Sequence, residues 1–416
     1  MLRSLFSGIS SLRSHQTMLD VTGNNIANAN TTANANTTGF KASQTRFEDT
    51  LSQMLMAPGA PQGQAGGTNP AQVGLGVRVA GISTNFTPGA AQQTGRSLDM
   101  MIDGDGFFVV NVAGEQLYTR AGAFTLDALG RLVTSSGAQV MGWAADENGV
   151  VNPNGPLTNL SVPVTTTMGA RATGNVTFTG NLPSDGKVAN PTATPPVEAT
   201  TLLRSIDVFS ANGTATSLDV RFTLASNTPG ATWDVEISDG ATVLGTGSVA
   251  FTATGALQNA TLPNITVEGA PITLDMDGLT GYAALTTVEA ASQDGQGAGV
   301  LQTFSMNSDG TLMGSFSNGL KRAIGMVAVG NFANAEGLEK VGGSMLRATV
   351  NSGDAQIGAA GDGGRGGLTG GALEMSNVDL SQEFTNLIIA QRGFQAGSRI
   401  ITTSDELLQE LVNLKR

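Results

Sequence analysis

The sequence predicts a mainly β protein with α-helical termini: nested, discontinuous domains, an inner helical (coiled-coil-like) domain plus two outer β domains. Three observations predict it. Apolar residues recur at heptad spacing at both extremes of the chain, and the long middle alternates apolar and polar residues between glycine-rich turns. The third is charge. The 416 residues carry a net −12, yet residues 1–50 hold four basic and three acidic groups and residues 376–416 four basic and five acidic. The ends cancel, and the middle carries the whole excess. Ends that pack side by side and a middle that faces water would want that distribution.

The first helix is read from Leu2, Leu5, Ile9, Leu12, Gln16, Leu19 and Ile26, the 3,4 spacing of a seam. At about 1.5 Å per residue it would run roughly 35 to 40 Å. Gly23, Asn24 and Asn25 weaken it late, being poor helix formers. Residues 1–30 and 376–416 are assigned to the inner polymerisation domain. Residues 31–72, polar and punctuated by Pro58, Pro61 and Pro70, read as an irregular arm around one short helix over 45–55. Within the stretch before it, Ala27-Asn28-Ala29-Asn30-Thr31-Thr32 recurs directly as residues 33–38.

Residues 73–143 and 296–375 read as a middle β domain. Short apolar runs there follow glycine turns, as where Asp103-Gly104-Asp105-Gly106 precedes Phe107-Phe108-Val109-Val110 in what reads as a hairpin. Residues 144–295 read as a separate outer β domain inserted into it. In it Leu218, Val220, Phe222 and Leu224 take one face and Asp219, Arg221 and Thr223 the other; Trp233, Val235 and Ile237 repeat the pattern. An Asn212-Gly213 turn precedes the first of these strands.

The last helix is longer. Ser376 and Asp379 make a capping-box pattern before Leu380, Phe384, Leu387, Gln391, Phe394, Ser398, Ile401, Asp405, Leu408 and Val412, and Lys415 and Arg416 bring positive charge to its end. Each seam alone would leave apolar residues wet and gain no burial to offset the lost conformational entropy. The ends are therefore expected to fold on assembly, pairing with each other and with other copies of the chain. Leu387, Phe394 and Ile401 should face N-terminal helices.

Composition narrows the chemistry. Glycine supplies 56 residues, while Asp, Glu, Lys and Arg make up 13% against a usual ~25%. The net charge opposes phosphate backbones and anionic lipid, so no nucleic acid and no membrane insertion are expected. Cysteine is absent, which rules out disulfides and thiolate chemistry. The N-terminus lacks the apolar core and cleavage site of a secretory signal, so if the chain leaves the cell it is expected to do so without a cleaved signal peptide. The single histidine, His15, lies inside the first helix, allows no multi-histidine metal site and reads as a helix-surface or packing residue. Asp103 and Asp105 lack the spacing of a calcium loop, and Gly361, Gly363 and Gly366 lack the helix that a dinucleotide site requires. Adjacent acids such as Asp146/Glu147 and Asp405/Glu406 read as solvated surface. No catalytic residue, cofactor or metal is expected.

Three runs of residues resemble one family. Gly23-Asn24-Asn25-Ile26-Ala27-Asn28 with Asn36-Thr37-Thr38-Gly39-Phe40-Lys41 is similar to the N-terminal signature of the bacterial flagellar rod and hook axial proteins. Ile102 to Phe108, Tyr118-Thr119-Arg120-Ala121-Gly122-Ala123-Phe124 and Gly130-Arg131-Leu132 resemble its central signature. Leu373-Glu374-Met375-Ser376-Asn377-Val378-Asp379-Leu380 and Gln391-Arg392-Gly393-Phe394-Gln395-Ala396 resemble its C-terminal one. The duplicated Ala-Asn-Thr-Thr segment departs from the family pattern, and reads as a lengthened loop.

The resemblance implies a non-catalytic subunit that polymerises into a curved, flexible tube in the extracellular flagellum. Rod members are much shorter, so the insertion favours a hook member. A rod-type structural protein and a secreted β-rich hydrolase are the rivals. The implied partners are further copies of the chain, the hook cap, the distal rod protein, the hook-filament junction protein and the flagellar type III export apparatus. Family export substrates resemble one another in a Phe-x-x-x-hydrophobic element, which Phe47 and Leu51 match; one face of an arm helix would also explain the pair.

Overall fold

The computed structural model describes residues 2–30, 37–61, 63, 66–146, 148–162 and 167–414. The Leu2 side chain, residues 31–36, which end the first copy of the repeat and begin the second, Glu147, and the terminal Lys415 and Arg416 lie outside that description. The chain is mainly β with a helix at each end, α1 over Leu2–Ala27 and α2 over Leu380–Asn413. It divides into two compact units. One comprises Met1–Val162, Phe304–Gly314 and Arg322–Arg416, and the other, inserted into it, Pro163–Thr303 and Ser315–Lys321.

In the inserted unit, Thr201–Phe209, Ala215–Ser226, Thr232–Asp239, Thr242–Phe251 and Leu257–Thr261 form an antiparallel sheet in chain order. The first two strands are joined through Asn212 and Gly213, the glycine at φ +89°, as the turn signal requires. Leu218, Val220, Phe222, Leu224, Trp233, Val235 and Ile237 are all buried. They meet a second sheet, ordered Ile265–Val267, Ala270–Thr280, Asn175–Asn181, Glu289–Gln293, which contributes Val176, Phe178, Leu274 and Met276 to the same core. Two inward-facing alternations thus make a sandwich.

In the other unit, adjacent strands run Lys321–Val327, Gln139–Ala144, Phe107–Val112, Glu115–Thr119, Met345–Arg347, Glu339–Gly342. The strand Phe107–Val112 is covered on both faces. Phe108 and Val110 enter one core with Phe124 and Leu132, and Phe107 and Val109 enter another with Tyr118, Trp143 and Phe332. A continuous apolar run is what a strand buried on two sides needs. The hairpin partner of this strand is Glu115–Thr119, turned by Ala113 and Gly114. The Asp103-Gly104-Asp105-Gly106 run is therefore a corner, where a hairpin turn was expected: Met100–Asp103 pairs with Gly367–Gly370, out of the glycine-rich stretch.

The short helix expected over 45–55 is absent. Ser43–Asp49 pairs antiparallel with Val77–Thr84, and Ser52–Met56 with Ala71–Gly74, so the arm is a two-stranded ribbon. Pairing with a strand some thirty residues on satisfies the backbone as fully as a helix would and places Val77 and Val79 where β-branched residues favour strand. The ribbon carries no charge between Asp49 and Arg78. Leu51, Met54, Leu55, Met56 and Val73 are exposed on it.

Candidate functional site

The two helices pack against each other along much of their length. The capping differs from the expected box. Asp379 is itself the N-cap, its Oδ1 accepting from the amides of Ser381 at 2.8 Å and Gln382 at 3.2 Å. Ser376 lies in the approach, where its carbonyl accepts from Asn30 Nδ2 at 2.9 Å.

A heptad repeat is present in α2, but no large apolar residue lies at its buried centre. Glu383, Ala390, Gly397 and Ser404, seven residues apart, are the buried residues of α2. On α1 the buried residues are Gly8, Ser14, Thr22 and Asn25. Leu387, Ile401 and Leu408 flank that centre half-buried, as do Leu5, Leu12, Leu19, Ile26 and Leu380. Ile9, Phe384, Phe394 and Val412, expected in the same seam, are exposed, at 38%, 52%, 39% and 67%. The cause is backbone approach. A Cβ on Gly397 would stand 3.2 Å from Leu12 Cγ and 3.4 Å from the Gly8 carbonyl, and one on Gly393 2.4 Å from the His15 ring. Helices this close have room for small residues at the centre, and the large apolar ones are displaced to the flanks and outward.

The outcome is an unpaired apolar surface. Phe6, Ile9, Phe384, Ile388, Ile389, Phe394, Ile400, Leu407 and Leu411 are exposed on the helical pair. Beneath it, burial raises the Glu383 carboxyl above its ordinary pKa, opposed by hydrogen bonds from Asn25, Asn386 and Thr22. His15, ringed by Gly393 and by Phe47 at 6.0 Å, is a packing residue. Of the two residues matched to an export element, Phe47 lies in the strand Ser43–Asp49 and Leu51 between two strands, 84% exposed; they do not share a helix face.

Sequence reasoning assigned no role to the junction beneath the helices. Lys41 Nζ donates to Glu374 Oε1 at 2.6 Å and to the Thr87 carbonyl at 2.8 Å; Arg120 Nη1 donates to Glu374 Oε2 at 3.4 Å and Nη2 to the Gly104 carbonyl at 2.9 Å. All three charged side chains are buried. Burial pulls the Lys41 and Arg120 pKa values down, against the pull of Glu374. Around them, Asn25 and Ser43 exchange reciprocal hydrogen bonds, and Asn377 Oδ1 accepts from the Ala42 amide at 2.8 Å. Gly39, at φ +67°, passes where a Cβ would meet the Arg120 and Ala121 backbone at 2.5 Å. The sequence carried the signal: Asn25, Lys41, Arg120, Glu374 and Asn377 all fall inside the three signature runs.

Among the described residues no cluster could hold a metal ion, and no helix is long and apolar enough to cross a membrane. A cavity of about 730 Å³ beside α1, lined by Asp20, Phe40, Ile82, Phe86 and Lys340 among others, contains no pair of groups set for acid–base work.

Four family models match the chain. They are "Flagella basal body rod protein" over residues 6–32, "Flagellar hook protein FlgE/F/G D1 domain" over 101–178, "Flagellar basal body protein FlaE D2 domain" over 181–296 and "Flagellar basal body rod FlgEFG protein C-terminal" over 369–414. The chain is 36% identical to the flagellar hook protein FlgE of Borreliella burgdorferi, over 100% of both chains. It is 33% identical to the flagellar basal-body rod protein FlgG of Bacillus subtilis, also over 100% of both. The crystal structure of Helicobacter pylori flagellar hook protein FlgE2 shares the fold, with a TM-score of 0.53 at 15% identity, covering 70% of this chain and 99% of that one. A match of this identity from end to end, with each signature run in its expected place, means that the chain belongs to the flagellar hook protein FlgE family.

Proposed function

We propose that the chain is the structural subunit of the bacterial flagellar hook, self-assembling into the flexible tube between rod and filament, and that it is not an enzyme. The observation that carries this reading is the unpaired apolar surface of the helical pair, set on a protein whose charge lies elsewhere. Burying each large apolar side chain against a neighbouring copy would contribute about 1.5–3 kcal/mol. The Bacillus FlgG match keeps a rod subunit as the second reading, which the position of the protein in isolated basal bodies decides. Negative-stain microscopy of the purified polymer tests the first: curved tubes support it, and a protein that never polymerises refutes it.

In the tube, residues 1–30 and 376–416 form the inner layer through Leu2, Leu5, Ile9, Leu12, Leu19, Ile26, Leu380, Phe384, Leu387, Phe394, Ile401, Leu408 and Val412. Residues 73–143 with 296–375 and residues 144–295 form the layers outside it, and residues 31–72 the arm between. The hook cap, the distal rod protein and the junction protein are its neighbours during and after assembly. Before assembly, the helical ends have no neighbour to cover them. Limited proteolysis of soluble subunit should then trim both ends and leave a fragment of about residues 70 to 370. Full-length subunit that resists cleavage at both ends would refute folding on assembly.

The protein reaches the cell exterior through the flagellar type III apparatus, with Phe47 and Leu51 as its recognition element. Export works on an unfolded chain, so the element need not be helical in the folded subunit, and its two side chains carry little of the folded core. A Phe47→Ala, Leu51→Ala double mutant should be retained in the cell at normal expression. Normal secretion of that mutant would remove the export role.

A further inference from the structure

Of the three charged groups in the junction, two belong to the strands and one arrives from outside them. Arg120 directly follows the strand Glu115–Thr119, and Glu374 ends Ala372–Glu374, which is paired with Ala91–Gln93. Lys41 stands alone on the connection between α1 and the ribbon. The groups that receive its ammonium keep other donors in its absence. The Gly89 amide donates to the same Glu374 Oε1 at 2.9 Å, Arg120 to Oε2, and Asn377 Nδ2 to the Thr87 carbonyl at 3.1 Å. The receiving half is therefore satisfied without the lysine. Lys41 for its part regains its hydration when it leaves, since burial is what opposes its charge here. Glu374 is different: without it, the buried Arg120 loses its ion-pair partner whether or not the lysine is docked.

We infer that Lys41 is the moving part of a latch, docking on a preformed site at Glu374 when the N-terminal segment orders during assembly. Three contacts dock together: the ammonium, the Gly39 amide on the Glu374 carbonyl at 2.9 Å, and the Ala42 amide on Asn377. A slip of one residue would present Phe40 or Ala42 to a buried carboxylate and leave the ammonium unpaired, so the latch accepts a single register. It joins the end of the helical layer to the strands at the moment neighbours cover the helices. The inference rests on the assembly reading above, and it adds the group that couples ordering of the arm to assembly.

The test compares Lys41→Met and Glu374→Gln in purified full-length protein. Soluble Lys41→Met should melt like the parent and give the same protease-resistant fragment, while the subunit concentration needed for polymer rises at least tenfold. Glu374→Gln should lose melting stability in the soluble subunit as well as assembly. The latch is refuted if Lys41→Met destabilises the soluble subunit as much as Glu374→Gln does, which would mean it is closed before assembly. It is equally refuted if Lys41→Met polymerises like the parent. A parent chain that forms no polymer would instead sink the hook reading, and the latch with it.

Discussion

A Phe394→Asp subunit is expected to fold and melt like the parent and to build no hook. Phe394 is 39% exposed, and the helix on which it stands borders an apolar surface that no other described part of the chain covers. Substitutions at such surface positions usually change stability by no more than about 0.5 kcal/mol, so the isolated subunit should be indifferent. Assembly reverses the balance. Burying a carboxylate where a phenyl ring should be covered loses the apolar burial and adds the desolvation of a charge, on the order of several kcal/mol at each contact. The cost recurs with every subunit added, so polymer should be absent rather than shortened. Thermal melting of the soluble variant and microscopy of cells expressing it measure the two halves. Hooks of normal length would exclude Phe394 from the inner seam, and a destabilised β core would place it within the subunit instead.

The second large effect is expected where the His15 ring of α1 packs against α2. In Gly393→Val the new side chain would begin 2.4 Å from the His15 ring, which is held between α2 and Phe47. Overpacking of this kind costs about 1–3 kcal/mol, so the subunit concentration needed for polymer should rise by roughly 5- to 150-fold. Removing the obstruction should restore much of the loss, so His15→Ala combined with Gly393→Val is expected to assemble better than Gly393→Val alone. If the double variant is no better, the ring is not what the new side chain meets, and the close approach of the helices there is wrong.

The two variants probe neighbouring faces of one helix, Phe394 on its exposed side and Gly393 against His15 of α1. Residues 380, 387, 394, 401 and 408 keep a seven-residue step that any reader of the sequence can find. Apolar and neutral residues put its other position at Phe384, Gln391, Ser398 and Asp405, whereas the structure buries the residues just before them, Glu383, Ala390, Gly397 and Ser404. Hydrophobic pattern locates a helix interface only when the backbones stay far enough apart for large side chains to fill it. Here glycines bring them closer, and the apolar surplus is left for another copy of the chain.

The sequence by itself determined the class of the protein and the strands of the inserted unit. Alternation over Leu218–Leu224 and Trp233–Ile237 fixes which face is buried whatever the neighbours, since a slip of one residue would turn the whole apolar set to water. The Asn212-Gly213 turn and the two terminal helices follow from equally local chemistry. What only the tertiary structure decided is long-range. The arm became a ribbon through a partner some thirty residues away, and the Asp103–Gly106 run became a corner because a glycine-rich strand from residues 367–370 arrives beside it. Lys41, Arg120 and Glu374 met although up to 333 residues separate them. Spacing along a chain carries no information about such meetings; the signature runs marked the three residues, and folding alone put them in contact.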